Sequence, residues 1–119
     1  MRLRAAWQRY FEEVDVLLCP ATFAPAFAHE QRPIEERTTV TPEGDRAWGD
    51  QVFWVAQASV AGLPAVVAPI GRTSDGLPVA AQIIGPLFED DTAIAFAELL
   101  ADVIGGYGRP PIDVETSAG

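Results

Sequence analysis

The sequence predicts an α/β fold, a partial mixed β-sheet with a C-terminal β-hairpin and about three packed helices. Three observations predict it. Apolar residues recur at helical spacing near both ends and in the middle of the chain. Three short apolar runs without alternation lie between them, the pattern of strands covered on both faces. The last two runs are joined by a link short enough to make them an antiparallel hairpin. Three helices are few for strands that are apolar all round, so the pattern describes a piece of a larger sheet.

The first helix is expected over 2–14, where Leu3, Trp7, Tyr10, Phe11 and Val14 fall at spacings of three, four and seven. A buried strand follows at 15–19 and stops at Pro20. Residues 20–46 read as a long irregular stretch broken by Pro20, Pro25, Pro33 and Pro42, with a turn at Pro42–Asp45. A loop of that length in a compact domain is usually functional or mobile. A second helix is expected over 47–61, with Trp48, Val52, Val55 and Ser59 on one stripe and Phe53, Ala56 and Val60 beside it. Gly62 supplies its C-terminal cap and Pro64 follows. Strands at 65–70 and 77–84 flank the turn-rich Gly71–Gly76, and Gly85-Pro86 ends the second of them. The last helix spans 90–104, with Asp90, Asp91 and Thr92 at its start and an apolar stripe through Ile94, Ala97, Leu100, Ala101 and Ile104. One domain over 1–112 and a flexible tail over 113–119 are expected.

Composition removes whole classes of function. Seventeen acids against eight basic residues leave a net charge of −9, with no basic face for nucleic acid and none for an anionic membrane. All eight basic residues are arginine, so a lysine base, a Schiff base or a phosphate-binding lysine is absent from this chain. One cysteine, Cys19, and one histidine, His29, form neither a disulfide framework nor a zinc site, and no metal or cofactor is expected. No uncharged run reaches the roughly twenty residues of a membrane span, and the expected setting is cytoplasmic.

Two segments carry a family resemblance. Gly62-Leu63-Pro64, the strand Ala65–Ala68 and Pro69-Ile70-Gly71 are followed by Asp75-Gly76-Leu77-Pro78 and then Gln82-Ile83-Ile84-Gly85. Upstream, Phe11 is followed by Asp15-Val16-Leu17-Leu18-Cys19-Pro20, with Pro25-Ala26 beyond. In order and spacing this resembles the C-terminal portion of the amidase-signature family over roughly 1–112. The resemblance implies a fragment of the amidase-signature fold and a parent enzyme that hydrolyses carbon–nitrogen bonds of linear amides with a serine nucleophile, a bridging serine and a lysine. Those residues lie in a Gly/Ser-rich region N-terminal to everything seen here. The serines of this chain are Ser59, Ser74 and Ser117, none in such a setting, so no catalytic residue is assigned.

By resemblance, the loop after the Asp-Val-Leu-Leu strand and the helix before the hairpin face the acyl side of the substrate. Here they place Pro20, Thr22, Phe23, Val52 and Val55 as substrate-binding candidates, a surface suited to an apolar or aromatic acyl group. The same five side chains also read as ordinary core. The glutamyl-tRNA amidotransferase branch of the family tends to carry an acid near Val52. Val52 cannot hold an ammonium group, and Asp50 points about 200° away around a helix. The expected function is therefore a scaffold and one wall of an acyl pocket, inactive alone, whose small-molecule amide is met only in the full-length parent. A stand-alone binding or assembly module and a Cys19/His29 enzyme are its rivals. Cys19 itself reads as a small buried hydrophobe before a proline. The acidic pairs Glu12-Glu13, Glu35-Glu36 and Asp90-Asp91 read as solvated faces, since neighbours in sequence diverge. Open sheet edges lead us to expect a homo-oligomer, or assembly with the missing N-terminal amidase portion.

Overall fold

The sheet is organised by its last strand. The computed structural model describes residues 2–112 and contains three α-helices, α1 (Arg2–Tyr10), α2 (Phe53–Ala61) and α3 (Asp90–Ile104). Five strands accompany them, β1 (Leu17–Pro20), β2 (Thr38–Thr41), β3 (Gly44–Ala47), β4 (Ala65–Arg72) and β5 (Pro78–Ile84). β5 lies in the middle of the larger sheet, whose order is β1-β5-β4, and β2 and β3 form a separate hairpin. Leu17 stands opposite Ile84 on one side of β5 and Ala65 stands opposite it on the other.

Successive side chains of a strand point to opposite faces. Ile84 joins Cys19, Ala58, Ala61 and Leu63 under α1 and α2, while Ile83 joins Ala68 and Ala93 under α3. Both isoleucines are fully buried. The result is three layers, with α1 and α2 on one face of the sheet and α3 on the other. The arrangement is the expected α/β one. A mixed sheet was expected, and every strand pairing among the described residues is antiparallel.

The short chain connections are chemically marked. α2 ends in a left-handed Gly62 (φ 71°, ψ 32°), whose N–H donates to Ser59 O while Leu63 N–H reaches back to Ala58 O at 3.0 Å. This paired C-terminal motif needs a residue without a Cβ penalty at the left-handed position. Arg4 Nε donates to the Ala61 carbonyl at 2.9 Å, so a cation sits at the C-terminus of α2 and ties α1 to it. At the same end of the sheet, a Cβ on Gly85 would come within 3.3 Å of the Ala93 Cβ, which shows how closely α3 approaches the end of β5.

Four expectations need correction. The first helix ends at Tyr10 rather than Val14, because bonds from Glu12 to Arg9 and Glu13 to Tyr10 tighten the chain into a turn before β1. The second begins as a 3-10 turn over Trp48–Val52, where Trp48 N–H bonds Arg37 O and its ring packs edge-on against Phe27 at 4.3 Å. The stretch 20–46 is not wholly irregular. Its Thr-Thr-Val-Thr run forms β2, and the expected turn at Pro42–Asp45 joins it to β3, with Gly44 at φ 117° and the Thr41 hydroxyl donating to Gly44 O at 2.7 Å. Finally, only β5 is covered on both faces. β4 is a sheet edge, and its Val67 is 57% exposed. The last helix, the hairpin and the Gly62 cap stand as expected. The expected tail, 113–119, lies outside the described residues.

Ile83→Ala and Ile84→Ala are each expected to lower the unfolding free energy by about 2–5 kcal/mol, since each empties one of the two cores. Urea melts read by far-UV circular dichroism measure this. Val60→Ala on the exposed face of α2 is the control, with a change within about 0.5 kcal/mol. Isoleucine variants as stable as that control would show that β5 does not organise the two faces.

Candidate functional site

Beyond β1 the chain leaves the sheet and turns sharply. The Thr22 hydroxyl donates to the Ala24 carbonyl at 2.6 Å, closing the turn. Residues Ala21–Ala26 then face the first residues of β5, Pro78, Val79 and Ala80, across a hollow of about 270 Å³. Thr22 and Phe23 line it. Pro20, Val52 and Val55 do not, although Phe23 reaches the helical segment that carries the two valines by stacking on Phe53, with ring centroids 6.4 Å apart and planes 27° apart. Val52 lies in the 3-10 turn and is 60% exposed, and Val55 lies in α2.

Phe23 has a second ring contact. The Arg46 guanidinium lies 4.9 Å from the Phe23 ring centroid, and Arg46 Nε donates to Asp50 Oδ2 at 3.2 Å. A planar guanidinium stacks on an aromatic face while its edge keeps a carboxylate partner, which a lysine ammonium does less well. A second pair of the same kind, Arg37 over Trp48 at 5.8 Å, stands beside Phe27. Gln51 Nε2 donates to the buried Thr39 hydroxyl at 2.7 Å and ties the β2–β3 hairpin to the start of the helical segment. Sequence reasoning placed Phe53 on a helical stripe but assigned it no contact, and it missed Arg46 and Pro78–Ala80. Arg46 sits in a segment read as irregular, and nothing in local spacing points from β5 to the loop after β1.

Cys19 is 7% exposed and faces the α1/α2 core. Gln82 Nε2 lies 3.3 Å from its sulfur and donates to the Trp54 carbonyl at 3.1 Å. Gln82 is itself 3% exposed, so both amide hydrogens are used where water does not reach. His29 is exposed in the loop, as are all six residues of the acidic pairs. Near His29, the Arg32 guanidinium hydrogen-bonds the Glu30 carboxylate at 2.7 Å and holds its carboxyl well below the usual value, to about 2. The pair is solvent-facing and adds little to stability. No group of three or more His, Cys, Asp or Glu among the described residues is arranged to hold a metal ion. A larger hollow of about 460 Å³ lies between α1 and the head of α3, but Arg4, Glu12, Asp15 and Glu89 make its lining strongly charged and Phe88 stands at its rim. The smaller hollow is the better match to an apolar acyl group.

The family model for Amidase matches residues 1–94. A glutamyl-tRNA(Gln) amidotransferase subunit from Gluconobacter oxydans is 34% identical over 108 residues, 91% of this chain and 20% of that protein. The corresponding protein from Xanthobacter autotrophicus, which bears the same name, is 35% identical over 106 residues, 89% of this chain and 19% of its own length. The chain thus spans about a fifth of the length of the curated relatives it matches.

The Cys19 thiol is expected to react with an aromatic disulfide at least about tenfold more slowly in native buffer at neutral pH than in denaturing urea, because reagent must wait for the core to open. Stopped-flow absorbance follows the reaction. Equal rates in the two solvents would place the sulfur at a reactive, accessible position instead.

Proposed function

The chain belongs to the amidase family, and from that premise we propose that it is the C-terminal part of an amide-hydrolysing enzyme, supplying sheet scaffold and one wall of the acyl pocket over residues 1–112. Support comes above all from one observation: Thr22 and Phe23, two of the positions indicated by resemblance, line a hollow closed by β5, and Phe23 is stacked on the helical segment carrying Val52 and Val55. Amide hydrolysis through an acyl-enzyme needs a nucleophile, a base to take its proton and donors for the oxyanion. By family resemblance the first two are a serine and a lysine bridged by a second serine. This chain has no lysine, and that chemistry comes from residues outside it. Its own contribution is positional. Phe23 offers apolar surface to an acyl group and Thr22 bounds it, Pro20, Val52 and Val55 flank the hollow as outlying positions of the same wall, and a fixed wall raises the fraction of bound substrate held near the nucleophile. The substrate is a small linear amide, the setting cytoplasmic and the acyl group apolar or aromatic. Among the described residues no helix is long and apolar enough to cross a membrane.

A second reading, part of a glutamyl-tRNA(Gln) amidotransferase, is favoured by the names of the relatives. Against it stand Val52, which has no charge for an amino-acid ammonium, and Asp50, whose carboxylate is engaged by Arg46.

The test pairs this chain with the N-terminal portion of an amidase-family relative that carries the two serines and the lysine. Alone, the chain is expected to turn over none of a panel of aliphatic and aromatic amides. Activity that survives repeated purification and Cys19→Ala would end the non-catalytic reading. In the paired enzyme, Phe23→Ala is expected to lower kcat/KM for a phenyl-bearing amide by about 10–100-fold, the worth of a lost apolar contact of this size. An unchanged value would remove Phe23 from the wall, and a preference for glutamine over apolar amides would favour the second reading.

A further inference from the structure

We propose that Arg46 is a positioning residue: from the inner face of the β2–β3 hairpin it fixes the Phe23 ring, and so sets selectivity for aromatic over short acyl groups. The proposal rests on the acyl-wall reading and adds to it a residue that acts from outside the hollow.

Hairpin register decides which side chains face the loop after β1. Thr39 stands opposite Arg46, and Trp48 N–H donates to Arg37 O at 3.1 Å, one rung beyond Thr38 and Ala47. Residues opposite each other in an antiparallel pair share a face, and neighbours along a strand alternate. Arg37, Thr39, Arg46 and Trp48 therefore lie on one face, with Val40 and Asp45 on the other. The first face is turned inward: Thr39 is buried and accepts a hydrogen bond from Gln51, whereas Val40 is 76% exposed. Both phenylalanines of the loop meet this inner face, Phe23 at Arg46 and Phe27 at Trp48. A slip of one residue would carry Arg46 to the outer face. Register is pinned at the tip, where Gly44 adopts φ 117° and the Thr41 hydroxyl donates to Gly44 O.

The chemistry of the contact suits a positioning role. Phe23 is half-buried in a loop and belongs to neither core cluster, so its ring is fixed by its neighbours rather than by enclosure. Asp50 takes the Nε edge of Arg46, which leaves the guanidinium plane to the ring and balances its charge beside an apolar wall. Arg46 does not line the hollow, so its route to a bound acyl group runs through Phe23.

A double-mutant cycle in the paired enzyme tests this, with kcat and KM measured for phenylacetamide and for acetamide. Arg46→Ala is expected to raise KM for phenylacetamide about two- to fivefold, the worth of one exposed cation–π contact, and to leave kcat unchanged. Acetamide has no ring, and its constants stay the same, which separates lost positioning from lost folding. In the Phe23→Ala background, Arg46→Ala has no further effect. Asp45→Ala, one residue away on the outer face, changes neither amide. In this chain alone, fluorine NMR of para-fluorophenylalanine at position 23 reads the ring directly, and its signal is expected to move and narrow on Arg46→Ala. An unmoved signal, an unchanged KM, equal losses for both amides, or an Arg46→Ala effect that persists without Phe23 would each overturn the proposal while Phe23→Ala still impairs phenylacetamide. If Phe23→Ala itself changes nothing, the acyl-wall reading falls and this proposal falls with it.

Discussion

Two adjacent isoleucines in one strand, Ile83 and Ile84, are the constraint on which the molecule depends. A strand directs successive side chains to opposite faces, so neighbours that are both fully buried require a covering layer on each side. β5 can meet that requirement only as a central strand, with β1 and β4 as its flanks. α1 and α2 then close one face and α3 the other, and the two cores share no residue except through β5 itself. Burial of an isoleucine side chain stabilises by about 1.5–3 kcal/mol. Both contributions vanish together if the strand moves to an edge.

One polar group lies inside this apolar arrangement. Gln82 precedes the two isoleucines and shares the face of Ile84, where its amide bridges the Trp54 carbonyl of α2 and the Cys19 sulfur of β1. An unpaired buried amide costs about 1–3 kcal/mol. The bonds therefore make the position of α2 over the sheet specific, where apolar packing alone would tolerate sliding. Specific placement of α2 matters because the same helix begins with Phe53, the ring on which Phe23 stacks. A chain of contacts thus runs from the core strand to the candidate acyl wall: Gln82 holds α2, α2 presents Phe53, and Phe53 holds Phe23.

The wall itself is built differently from the core. Its parts come from a loop, a hairpin and a 3-10 turn, and they are joined by aromatic and cationic contacts rather than by buried aliphatic volume. Arginine suits this role, since its guanidinium covers a ring and binds a carboxylate together. Surface contacts of this kind are individually weak, about 0.5–1 kcal/mol for an exposed cation–π pair. The hollow itself meets the sheet at the end of β1 and the start of β5.

By itself the sequence determined whatever depends on residues close together in the chain. The apolar stripe of α3, the β4–β5 hairpin, the Gly62 cap and the turn at Pro42–Asp45 are all local, and so is the absence of lysine that removes a base from this chain. The residues from Gly62 to Gly85 and from Phe11 to Pro20 carried the family as well, because their spacing is itself the signature. Tertiary structure alone decided which strand is central, that Thr38–Ala47 pairs as a hairpin over the site, that Phe23 meets Phe53 and Arg46, and that Pro78–Ala80 close the hollow. Periodicity reports that a segment buries one face or two, but not against what. The partner is chosen by packing between residues as distant as Cys19 and Gln82, and that choice leaves no mark in the spacing of either segment.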